Sequence, residues 1–257
     1  LSNISPEWYC ERLPVTTSAP GYIPLAEIQT KIIRYEWDDW NVEVAEEPID
    51  EALLERLQKI SQRASAAFAI ASAEWIVFRF ASLMEADEPF WYLETAWAQI
   101  IDARYGLEWD PLQSGWSGPV MGPIRQALMW AGDTIEQVED DLDPAESAAT
   151  IARLVEYVLP TIDAYRNWSD RVLARLETHF PFNEKDPKGD VVPREAMDPA
   201  FDFTLESIEH LVNAYLAKLD RDTNPFLNSP EGMIEQGFKG TPYVFNIEQD
   251  RQARADW

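Results

Sequence analysis

Cysteine is almost absent from this chain. Cys10 is the only one, so no disulfide can form within it, and this favours a reducing compartment. Histidine is nearly as scarce. Neither His179 nor His210 sits in His-Glu-x-x-His, and neither has the glutamate three residues earlier that di-iron carboxylate bundles require. Glu206, one helical turn before His210, suits a surface ion pair instead. No apolar run approaches about 20 residues free of charge, so no transmembrane helix is expected, and no secretory signal pattern is visible. These absences together predict a cytoplasmic protein. Phosphate-binding glycine loops are missing. Gly115-Trp116-Ser117-Gly118-Pro119 fails as a nucleophile elbow, because its second glycine arrives one residue early and no strand precedes it. The sequence therefore predicts no catalytic residue, no metal site and no cofactor.

Basic residues are also few. Lys and Arg number 21 against 46 Asp and Glu, a net charge of -25 and an isoelectric point near 4.3. A surface this acidic repels nucleic acid and anionic membrane, and attracts basic proteins or cations. The rest of the composition is globular. Hydrophobic residues make up 46% and aromatic ones 12%, so the acidity belongs to a folded protein rather than a disordered tail. A chain of 257 residues is long enough to bury about three quarters of its unfolded surface.

Pro6, Pro14, Pro20, Gly21 and Pro24 mark residues 1–24 as an irregular arm. Leu25, Ile28 and Ile32 then suggest a short helix. From Ile33 to Val44 apolar and polar residues alternate around Asp38-Asp39. The alternation fits a small β-hairpin near residues 31–45, and equally an extended helix with a frayed end. From Pro48 the periodicity is helical. Residues 49–62 are amphipathic, whereas 64–84 are apolar nearly all round, as in a helix covered on several sides. Residues 87–106 form the next helix. Residues 106–123 read as an ordered loop, and a helix follows through Ile124, Leu128, Ile135 and Val138. Asp143-Pro144-Ala145-Glu146 resembles a capping box and opens another helix, running to Leu159. A further helix ends near His179. Residues 181–199 are the best linker candidate, Asp198-Pro199 opens a last long helix, and 224–257 read as an irregular tail with a closing helical turn near Glu248. The fold class expected is mainly α: a single-domain antiparallel bundle of about seven to eight helices.

The acids are not evenly spread. Glu36, Asp38, Asp39, Glu43, Glu46, Glu47, Asp50 and Glu51 occupy a stretch without a single Lys or Arg. A second base-free stretch, 126–152, holds Asp133, Glu136, Glu139, Asp140, Asp141, Asp143 and Glu146. On its helix, Asp133, Glu136, Glu139 and Asp140 share the face opposite Ile135 and Val138. Like charges at these spacings cost a few tenths of a kcal/mol per pair. A surface for a basic partner would show that cost, and so would a merely solubilising one.

With Trp37, Trp40 and Trp130 beside these stretches, the chain resembles bacterial immunity proteins, which neutralise a cognate toxin and are often small, acidic, cysteine-poor and free of catalytic signatures. That resemblance implies tight binding to a basic toxin domain such as a nuclease. The residues expected to face it are Glu36, Trp37, Asp38, Asp39, Trp40, Glu43, Asp133, Glu136, Glu139, Asp140 and Asp141. Neither nucleic acid nor membrane is expected as a partner, and the sequence sets no oligomeric state. Two other readings stand beside it. Asp140-Asp141-Leu142-Asp143 is one residue short of the Asp-Asp-x-x-Asp motif by which all-helical isoprenoid synthases hold Mg²⁺ for a diphosphate substrate, and the basic residues that grip diphosphate are missing nearby. An acidic DNA mimic would instead need carboxylates in rows matching phosphate spacing.

Overall fold

The computed structural model describes residues 18–255. Cys10 and most of the expected N-terminal arm lie outside the described residues. Within them the fold is mainly α, with eleven helices and no strand. In chain order these are α1 (Leu25–Ile28), α2 (Glu43–Glu46), α3 (Glu51–Leu57), α4 (Gln62–Phe80), α5 (Glu88–Gln99), α6 (Gly118–Glu139), α7 (Ala145–Val158), α8 (Asp163–His179), α9 (Ile208–Leu216), α10 (Pro230–Glu235) and α11 (Ile247–Ala255).

Helix α4 is the axis of the fold, and every one of its residues is buried. Its alanines at 64, 66, 67, 69, 71 and 73 leave room for close approach, and α6 and α7 pack along it most extensively. Bulk comes from Phe68, Trp75, Ile76 and Phe80; Phe68 and Trp75 pack on Trp168 and Tyr165 of α8, and Phe80 meets Tyr35. Losing a buried aromatic of this kind costs about 3–5 kcal/mol.

A helix buried at its start must still satisfy its first N–H groups. The Ser61 side chain accepts from Ala64 N at 3.3 Å. Carbonyls of the chain after α8 take the rest. Phe180 O, Pro187 O and Lys188 O accept from the N–H groups of Ser61, Gln62 and Arg63 at 2.9, 2.9 and 3.2 Å. This is why 181–199 is not a linker. The segment closes the end of α4 and then buries Val191, Val192, Ala196 and Met197 in the core.

It also delivers Arg194 to Glu74, the one acid in the middle of α4. Glu74 is 1% exposed and accepts from Arg194 at 2.5 Å, from Trp97 Nε1 at 2.9 Å and from the Tyr22 hydroxyl. Burial works against the Arg194 charge, but the Glu74 carboxylate outweighs it and holds the guanidinium above its ordinary value. Removing one partner of such a pair leaves the other uncompensated, at a cost of about 3–5 kcal/mol.

Three other expectations are corrected. No strand forms over residues 31–45, so there is no hairpin. The alternation itself is real: Tyr35 and Trp37 turn inward while Arg34, Glu36 and Asp38 face out. Side chains replace the missing partner strand, with Arg79 donating to Thr30 O and Ile32 O, and Tyr157 to Glu36 O. The last long helix does not start at Asp198-Pro199. Asp198 and Asp202 each bind a backbone N–H two residues on, which holds the chain in turns until Ser207 caps α9. The tail after 224 contains α10 and α11, and it contributes Leu227, Met233 and Phe245 to a second apolar cluster with Ala98, Ile101, Tyr105, Val212 and Leu216.

Helix α11 has no fully buried residue, and its apolar contact is the partly buried Ile247 on the second cluster. Ion pairs hold the rest. Asp250 receives both Arg63 amino groups at 2.8 and 2.9 Å. Arg254, only 10% exposed, reaches Asp190 at 2.7 Å, Asp250 at 3.2 Å and also Asp186, while Arg251 reaches Asp190 at 2.6 Å. The Arg251 hydrogen bond is the main cause that holds the Asp190 carboxyl below the ordinary aspartate value of 3.8. A carboxyl depressed by folding stabilises the fold above its unfolded value, and that contribution is lost as pH falls through its folded value. Amide hydrogen exchange should therefore show residues 247–255 protected at neutral pH and released only as pH falls below the ordinary aspartate value, before the α4 amides. Loss of both sets together would show that α11 is not clamped by its ion pairs.

Candidate functional site

The segment 31–47 lies across α6 and α7 and is fixed there by hydrogen bonds from both. Pro123 lies inside α6 and cannot donate to the carbonyl four residues back, Pro119 O. The Tyr35 hydroxyl donates to that carbonyl instead. Tyr35 also packs on Tyr157 with ring centroids 5.4 Å apart, and Tyr157 donates to Glu36 O at 2.6 Å. Farther along, Asp39 accepts from Trp37 Nε1 and from Gly118 N, both at 2.8 Å, and Arg125 stands 3.6 Å away. The Asp39 carboxylate thus satisfies the first N–H of α6, where negative charge is favoured. At α2, Glu46 is buried and accepts from Trp130 Nε1 at 2.8 Å. Burial pushes the Glu46 carboxyl up, and the Trp130 hydrogen bond partly offsets this.

These anchors divide the residues expected to face a partner. Trp37 and Asp39 are structural: they turn inward and hold the loop to α6. Trp130 likewise is tied to Glu46. Glu36, Asp38, Trp40 and Glu43 remain on the outside. Trp40 is 94% exposed, although its own N–H donates to Asp38 Oδ1 at 2.9 Å in a closed turn. Val44 beside it is 61% exposed, and Glu47 also faces out. Val44 was hidden in the sequence because strand alternation turns it inward with Trp40. The short helix α2 buries Ala45 and Glu46 instead and leaves Glu43 and Val44 in solvent.

The near end of the second acidic stretch meets this loop where Trp130 bonds Glu46, but its far end does not join the surface. Asp39 sits at the first turn of α6, and Glu139 is its last residue, about 30 Å away along the axis. Asp133 is half-buried and Glu136 is exposed, and both lie near Tyr92 of α5. Burial raises the Asp133 carboxyl, and the neighbouring Glu136 charge adds to the effect. Glu139, Asp140 and Asp141 are exposed where α6 ends. There the chain reverses through Asp141 at φ 54°, and Leu142 N returns to Gln137 O at 2.7 Å.

Comparison with family models, curated proteins and solved structures returns no match. The chemistry must therefore be read from the residues. Among the described residues no three His, Cys, Asp or Glu side chains gather as metal ligands, and Asp143 is occupied with Ala145 N at 3.0 Å. His210 pairs with Glu206 at 3.1 Å, and His179 packs edge-on against Phe203.

Gly122 is the point on which the loop's position rests. A Cβ there would stand 2.1 Å from Trp37 Nε1 and 2.8 Å from Asp39 Oδ1. Gly122→Ala should displace Trp37 and break the Asp39 contacts while leaving α6 itself intact. The expected readout is a red-shifted tryptophan emission with helical circular dichroism unchanged, and a stability loss of about 1–3 kcal/mol. Unchanged emission and stability would show that Trp37 does not hold the loop to α6.

Proposed function

We propose that this chain is an immunity protein acting in the cytoplasm, which binds and neutralises a basic cognate toxin domain through the loop that carries Trp40. One observation carries the reading: a tryptophan 94% exposed on a loop that is otherwise pinned to the body, ringed by exposed Glu36, Asp38, Glu43 and Glu47. A large indole in water gains nothing for the monomer. Aromatic anchors surrounded by charge are what protein interfaces bury at their centres. The loop is already ordered, so docking would cost little conformational entropy.

The acids supply the encounter. The net charge of -25 attracts a basic domain from a distance, and the loop acids orient it. Trp40 and Val44 then provide the apolar contact that slows dissociation. The carboxylates at the far end of α6 contribute to the field but not to the contact. A DNA mimic would use its carboxylates and make no demand on Trp40, so the tryptophan separates the two readings. The diphosphate enzyme has no such feature in its favour.

The test is co-expression with the basic protein encoded beside this gene, together with binding kinetics on the purified pair. Trp40→Ala should weaken binding by about 2 kcal/mol or more, mostly through faster dissociation. Joint Asp38→Lys and Glu43→Lys substitution should slow association about tenfold and flatten its salt dependence. Glu139→Lys with Asp141→Lys should leave dissociation unchanged. Neutralisation that survives Trp40→Ala at full affinity would overturn the proposal.

A further inference from the structure

A cleft of about 300 Å³ opens between α3, α7 and α8, within the usual size range of small-molecule sites. Its floor is apolar, formed by Leu53, Ala149, Ala152 and Leu173. Its walls gather Arg56, Arg153 and Arg166, an unusual concentration in a chain with so few bases, together with Asp50, Glu156 and Asp170.

The pairing of these charges leaves a definite remainder. Arg166 is held by Glu156 through two hydrogen bonds of 2.6 and 2.8 Å. Arg56 is held by Asp170 at 3.0 Å and by Glu177 at 2.8 Å. Arg153 has no carboxylate partner among the described residues. Its guanidinium stands only 5.7 Å from the centre of the Tyr157 ring. On the acidic side, Asp50 Oδ1 accepts from Ala52 N and Leu53 N at the start of α3, and Asp50 Oδ2 takes no hydrogen bond among the described residues. The cleft thus offers one cation without an acid, one carboxylate oxygen without a donor, and an apolar floor.

We propose that this cleft binds a free α-amino acid with an apolar side chain. Its carboxylate would pair with Arg153, its ammonium with Asp50 Oδ2, and its side chain would lie on Leu53, Ala149, Ala152 and Leu173. A zwitterion also suits the global electrostatics. The net charge of -25 repels a simple anion but exerts no net force on a ligand of zero charge. Arg153 carries the specificity, since a guanidinium receives a carboxylate through two parallel N–H donors. The site does not rest on the Trp40 loop or on the immunity reading.

Isothermal titration calorimetry of the full chain with L-leucine tests the proposal, with N-acetyl-L-leucine and L-leucinamide as probes that each lack one charge. L-Leucine should bind saturably with a Kd of about 1 mM or tighter, and both analogues at least about tenfold more weakly. Arg153→Gln should weaken L-leucine about tenfold or more with an unchanged melting profile. Should that variant lose its fold, Ala52→Phe, which adds bulk at an exposed position on the rim, should block L-leucine equally. Absence of saturable heat up to roughly 20 mM L-leucine, equal binding of N-acetyl-L-leucine, or full affinity in a folded Arg153→Gln protein would each overturn it.

Discussion

A helix with no solvent-facing side is a demanding element. Helix α4 buries all of its residues, so every flank must be covered and its first N–H groups must find acceptors inside the protein. Helices α6, α7, α5 and α8 supply the cover. The chain from Phe180 to Lys188 supplies the acceptors, and the same segment then carries Arg194 in to neutralise Glu74. The arrangement has little slack: a polar segment without secondary structure becomes part of the core because α4 cannot end in water.

That dependence explains which parts of the fold were legible in the sequence. The all-round apolar run of 64–84 announced a central helix, which ends at Phe80, and the 3.6-residue spacing announced α3, α5, α7 and α8. Segment 181–199 reads as a linker because what it contributes to α4 is main-chain carbonyl oxygen, to which composition is blind. The same blindness hid the anchoring of 31–47. Alternation showed that Tyr35 and Trp37 face in, but misplaced Trp40 and Val44, and the backbone partners proved to be Arg79 and Tyr157, far along the chain and on different helices. Helix α6 begins earlier than Pro123 suggests, since Tyr35 satisfies the carbonyl that the proline leaves free. Asp198 looks like a helix starter and, with Asp202, acts as a turn former.

The candidate surface was legible in part. The two base-free acidic stretches were visible, but not the length of α6 that carries Glu139 away from Asp39 while Trp130 meets Glu46. Trp37, Asp39 and Trp130 carry the same chemistry as Trp40 and Asp38, and nothing in residue type says which is an anchor to the body and which is offered outward. Packing makes that division. Asp39 caps α6, Trp37 fills the space that Gly122 leaves, and Trp130 receives Glu46. Once those three are committed, Trp40 and Asp38 are left in solvent.

Under the proposed function, net charge would attract a basic partner and the pinned loop around Trp40 would hold it. Hydrogen exchange mapping of the complex with the basic cognate domain tests this claim most directly. New protection should concentrate in residues 36–47, with the end of α6 around Glu139–Asp141 unchanged. Protection at Glu139–Asp141 without any at 36–47 would contradict it.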